Sequence, residues 1–160
     1  MPTVAGQEDF AITIGEKIVE LIQALPEIEP GKVQFSRAYE IQVDELPCIS
    51  VELGPDTPTD PDGTQSSNFE DSELMIFVDL YDHRNDAEAV KRITFARALC
   101  HKAIMADFTL GLAFVQQARY GGASEPASDA ESGLPGWTMR VMFPVHYRFN
   151  DDDRTVFNTG

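Results

Sequence analysis

The sequence predicts an α+β fold, a mostly antiparallel sheet with two main helices packed on one face and with long acidic loops. Two stretches repeat apolar residues at spacings of three and four, the mark of a helix with one buried face. Five stretches alternate apolar and polar residues at the period of a half-buried strand. Their order is helix, strand, strand, long loop, strand, helix, strand, loop, strand, within a length that fits one domain.

The first helix is expected from about Asp9 to Leu25, with Phe10, Ile14, Ile18, Leu21, Ile22 and Leu25 on its buried face and Pro26 as its stop. Thr13 and Glu16 would form a capping box if it starts late. Val33, Phe35, Tyr39, Ile41 and Val43 are alternate positions of an extended stretch, and Leu46-Pro47 leads into a strand with Ile49, Val51 and Leu53 on one face. A strand after the acidic run places Leu74, Ile76, Val78 and Leu80 on one face and Met75, Phe77 and Tyr81 on the other.

Asn85 or Asp86 is a suitable N-cap for the second helix, whose stripe is Val90, Ile93, Ala96, Leu99, Cys100, Ala103 and Ile104. The stretch LAFVQQARY reads as the next strand. The longest alternation closes the pattern: Trp137, Met139, Val141, Phe143, Val145, Tyr147 and Phe149 share one face, and Thr138, Arg140, His146 and Arg148 the other. Pro144 offers no amide donor, which suggests a sheet edge at that point. Loops at 54–72 and 121–136 are expected to be flexible, and the chain is expected to fray from about residue 150.

The run from Gly54 to Ser72 holds five carboxylates and three prolines and has no lysine or arginine. A structureless connection of such length is uncommon inside a compact domain and is usually functional or disordered. Asp56, Asp60, Asp62, Phe69, Glu70 and Asp71 are therefore candidate assembly residues, with Phe69 as the apolar anchor. Lys91, Arg92, Arg97 and Lys102 give the second helix a basic side that suits contacts between copies.

Net charge is −15, from 27 acidic against 12 basic side chains, a field that repels phosphate and disfavours a basic nucleic-acid groove or an anionic membrane. Cys48 and Cys100 lie in apolar patterns, as buried thiols of a reducing compartment. The N-terminus shows no signal-peptide pattern, and no apolar stretch approaches the ~20 residues of a membrane span.

Chemistry-bearing motifs are weak. Placing Gly63 at the glycine of a calcium-binding loop puts Asp60 and Asp62 at ligand positions, but Pro58 and Phe69 then stand where the first and last carboxylates belong. His83, His101 and His146 fall on separate elements, without a paired zinc spacing. Neither cysteine lies in an electropositive glycine-rich turn, and Gly121-Gly122 leads into an acidic loop, the wrong charge for phosphate. Asp79, Tyr81, Asp82 and His83 form the best enzyme-like group, but polar residues at a strand end before a helix explain them better. The expectation is a protein that is not an enzyme and takes no cofactor or metal.

The order of elements, the strands LPCISVELG and LMIFVDLYDH, and the closing WTMRVMFPVHYRF with its short acidic tail resemble bacteriophage tail terminator proteins, roughly from Ile14 to Asp153. The resemblance implies a compact α+β virion protein, made in the host bacterial cytoplasm, that assembles as a homohexameric ring. Such a ring caps the tail tube protein, ends tube polymerisation and offers a surface to a head-completion or connector protein, while DNA passes through without specific binding. Another phage neck or tail-completion protein, an acidic binding module and a metal-dependent hydrolase remain the alternative readings.

Overall fold

The structure is a computed structural model that describes residues 7–36, 41, 43–59, 69–83, 87–128, 136–150 and 155–157. Its chain order is β1 (Gln7–Asp9), α1 (Phe10–Gln23), β2 (Val33–Phe35), β3 (Cys48–Pro58), β4 (Phe69–His83), α2 (Ala89–Met105), β5 (Val115–Ala118), β6 (Ala127–Ser128), β7 (Gly136–Asn150) and β8 (Thr155–Phe157). The main sheet runs β2-β3-β4-β7-β5, with β6 also on β7, and only β2 with β3 is parallel. The α+β architecture expected from the patterning is the one observed.

Asp9 caps α1 by accepting from the Ala11 amide at 2.8 Å, so the helix starts where its apolar period starts and needs no capping box at Thr13. Ile14, Ile18 and Ile22 are completely buried against β2 and β3. Gly15 sits where α1 crosses Phe35, and a Cβ there would come within 2.2 Å of the Phe35 ring. Ile93, Cys100 and Ile104 of α2 join the same core from above β4 and β7, so both helices cover one sheet face. That face consists of Val51, Leu74, Ile76, Val78, Leu80, Val141, Phe143 and Val145, as period-two alternation requires.

Several expectations are corrected. The acidic run is not all loop: β3 continues through a bulge between Leu53 and Asp56 to Pro58, and β4 begins at Phe69. Its polar and proline-rich composition reads locally as a breaker, but pairing with the neighbouring strand overrides it. Thr59 still pairs with Asp71, while 60–68, which include Asp60 and Asp62, lie outside the described residues.

Pro144 is not at an edge. β7 lies between β4 and the segment from Val115 to Ser128. The Pro144 carbonyl accepts from the Arg119 amide at 2.9 Å, and two residues on the Met142 carbonyl accepts from the Gly121 amide while the Met142 amide donates to the Gly122 carbonyl. A proline fits there because the ladder needs only its acceptor.

The same pairing removes 121–128 from the expected flexible loop, leaving 129–135 outside the described residues. Thr155–Phe157 pairs with Gln7–Asp9 as a small second sheet, where a frayed tail was expected. Of the strand expected over residues 33–43, Val33–Phe35 is strand and Val43–Glu45 is a 3-10 turn, while 37–40 and 42 lie outside the described residues. Asn85 and Asp86, the expected caps of α2, lie outside the described residues.

Candidate assembly surfaces

The base of the acidic hairpin is held by carboxylates. The β3 bulge turns Asp56 toward the core face, where it accepts from the Tyr147 hydroxyl at 2.5 Å and from the Ser72 hydroxyl. Asp71 is buried on the opposite face and takes a two-pronged contact from Arg148 at 2.7 and 3.2 Å. His146 Nε2 lies 3.6 Å from the same carboxylate. Asp56 and Asp71 are therefore corrected from solvated loop residues to strand residues that fix the hairpin's root. Phe69 and Glu70 pair through their backbones with Asn150 and Phe149.

The sheet face away from the helices carries a ladder of ion pairs. Asp79 and Arg140 stand directly opposite each other on β4 and β7, as do Asp71 and Arg148. Arg140 grips Asp79 at 2.8 and 3.0 Å and lies 4.1 Å from the centre of the Phe77 ring. The hydrogen bond to Asp79 raises the Arg140 pKa above its ordinary value, and Asp71 does the same for Arg148. Arg119 reaches Glu73 at 2.8 Å. Burial, followed by the Asp79 charge, pushes the Tyr81 hydroxyl up to about 12.

The enzyme-like group at the end of β4 is thus divided by strand alternation. Asp79 belongs to the outer ladder, whereas Asp82 turns to the helical side and receives Arg92 at 2.9 and 2.8 Å.

The basic side of α2 divides too. Arg92 is committed to Asp82 and Lys91 lies 3.3 Å from Glu88, while Arg97 and Lys102 have no ion-pair partner among the described residues. Beside Arg92, an open groove of about 260 Å³ lies between α2 and the start of β3. Pro47, Cys48, Ile49, Phe95 and Leu99 make much of its apolar lining, and charges of both signs, Glu27, Glu29 and Lys32 together with the Asp82–Arg92 pair, also line it. The ladder and the groove were both missed by sequence reasoning. The ladder's one signal was the matching eight-residue spacing of Asp71 and Asp79 on one strand and of Arg140 and Arg148 on another.

Among the described residues no three histidine, cysteine or carboxylate side chains gather as a metal site, and no helix is long and apolar enough to cross a membrane. Comparison of the chain with protein-family models and with curated proteins finds no match in either.

Proposed function

We propose that this chain is a structural protein of a bacteriophage virion that caps the tail tube as a homohexameric ring, ends tube polymerisation and presents the surface that joins the head. One observation carries the reading: a long β3–β4 hairpin, rooted by Asp56 and Asp71, leads out of a stiff sheet into an acidic segment. The sheet gives the hairpin a fixed direction, as an assembly part that must meet neighbours in one orientation requires. Arg97 and Lys102, without an ion-pair partner among the described residues on a chain of net charge −15, add a local attraction between copies. The acidic excess also suits a passage through which DNA slides without being gripped.

Negative-stain microscopy and light scattering across protein concentration, with and without tube protein, test the proposal. A closed six-copy species is expected. A monomer at every concentration, with tube protein present, overturns it.

A further inference from the structure

β1 and β8 form a sheet of their own, apart from the six-stranded one, and among the described residues each pairs with the other alone. Two strands of three residues are marginal as a sheet in water, so this pairing opens more easily than the main sheet does.

The two strands are not equal partners. β1 runs straight into α1, and Asp9 is both its last residue and the cap that accepts from the Ala11 amide. The next residue, Phe10, is buried, with its ring edge-on to Phe114 at 4.6 Å and 5.9 and 6.2 Å from Tyr147 and Phe149. The end of β1 is thereby fixed by the core whether or not β8 lies beside it. For β8, the pairing with β1 is its one strand contact among the described residues.

The edge of β1 therefore has an occupant of known fit: Thr155, Val156 and Phe157, opposite Asp9, Glu8 and Gln7. Every copy of the chain carries that same strand, and a neighbour's β8 makes the same backbone hydrogen bonds to the same edge. Asn150, the last residue of β7, pairs with Phe69 at the root of the acidic hairpin. From there to Thr155 the chain reaches at most about 18 Å, five residue steps. Short connections that hold a terminal strand invite exchange between copies.

We infer that β8 is an exchangeable arm: in the assembled protein Thr155–Phe157 of one copy pairs with Gln7–Asp9 of the next, and in the separate chain it folds back on its own β1. Each copy gives one arm and receives one, so the contact is head-to-tail and closes into a ring when the rotation per copy divides a full turn. The inference rests on the ring reading and names its joint, the hairpin root of one copy beside the start of α1 in the next.

The test uses the full chain carrying Glu8→Cys and Val156→Cys, positions directly opposite in the pairing. Opposite residues of an antiparallel pair lie about 4.5–5.5 Å apart, within reach of a disulfide. The native Cys48 and Cys100 are buried, and the two single-cysteine variants are the controls. The chain is oxidised either dilute or after assembly with tube protein, then run denatured without reductant. Single chains are expected from the dilute sample, and a ladder of linked copies from the assembled one. Val156→Pro, which removes an amide from β8, should weaken association about tenfold or more while the thermal melt is unchanged. A closed ring that yields only single chains, that forms no disulfide, or that survives Val156→Pro overturns the exchange and leaves the ring reading standing. No associating species at any concentration, with tube protein present, overturns both.

Discussion

The Tyr147 hydroxyl donates to Asp56 Oδ2 at 2.5 Å, joining β7 to β3 across the intervening β4 between residues 91 apart in sequence. The Tyr147 ring is completely buried, packed near Phe10 and Phe149, so its single polar atom has been taken out of water with the rest. Tyr147→Phe is expected to cost about 1 kcal/mol, and Asp56→Ala about 1–3 kcal/mol, because the second leaves a buried hydroxyl without this acceptor. Urea titration of both variants checks the order. An Asp56→Ala chain as stable as wild type contradicts the account.

Charge reversal should separate the root of the hairpin from the segment beyond it. Asp60→Lys, Asp62→Lys and Glu70→Lys together are expected to move stability little, since the acidic, proline-rich composition of this stretch does not build a core. Asp71→Lys should lose roughly 2 kcal/mol or more by placing a cation against Arg148. Thermal melts decide it, and complementation for infectious particles shows whether the triple variant, with its fold intact, still assembles. Unchanged particle yield would make the acidic segment a solvated loop.

Alkaline pH should weaken the fold. Burial pushes the Cys100 thiol from 9.0 to about 12, and the Tyr81 hydroxyl rises from 10.0 to about 12. Both groups give up protons in the unfolded chain before they do so in the folded one. The stability linked to them is therefore whole below about pH 9 and is lost as pH rises toward 12. Urea midpoints measured from about pH 8 to about pH 11 should fall, and fall less steeply in Cys100→Ala. A midpoint independent of pH over that range contradicts this.

Gly136 begins β7 beside the end of β4. A Cβ there would lie 1.7 Å from the Asp82 carbonyl oxygen, which is backbone and cannot swing aside. Gly136→Ala should cost about 1–3 kcal/mol through forced separation of the strands, read as a lowered melting temperature. Gly31→Ala, where a side chain meets nothing within 4 Å, is the control.

Duplex DNA should not bind measurably at physiological salt. With a net charge of −15, Arg140, Arg148 and Arg92 already neutralised by internal carboxylates, and few cations left over, phosphate has little to meet. A salt-dependent gel shift at micromolar protein would contradict this.

The features readable from sequence are those set by local period. Phe10, Ile14, Ile18 and Ile22 mark the buried face of α1, and the alternation from Trp137 to Phe149 correctly divides β7 between core and outer face. Features that depend on a distant partner were hidden. Asp56, Thr57 and Pro58 look like loop because their pairing is with Leu74, Glu73 and Ser72 across a bulge. Pro144 looked like an edge residue because its rule assumes that the ladder needs an amide there. Asp79 with Arg140 is a contact across 61 residues that composition could not pair. The groove also needs its walls, from Pro47 and from Phe95, to be brought together before it exists.

The position of β7 at the middle of the sheet has a consequence for biosynthesis. β4 is made early and shows a full apolar face, yet its partner along all fifteen residues follows only after α2 and the β5–β6 segment. Until β7 emerges, the nascent chain has a bare strand edge on β4 and an unfinished core, the conditions under which chains stick to one another. Closure is thus set by long-range pairing, which is slow to form. A chain stopped at residue 135 would lack the centre of its sheet, so a ribosome that stalls there releases no folded protein.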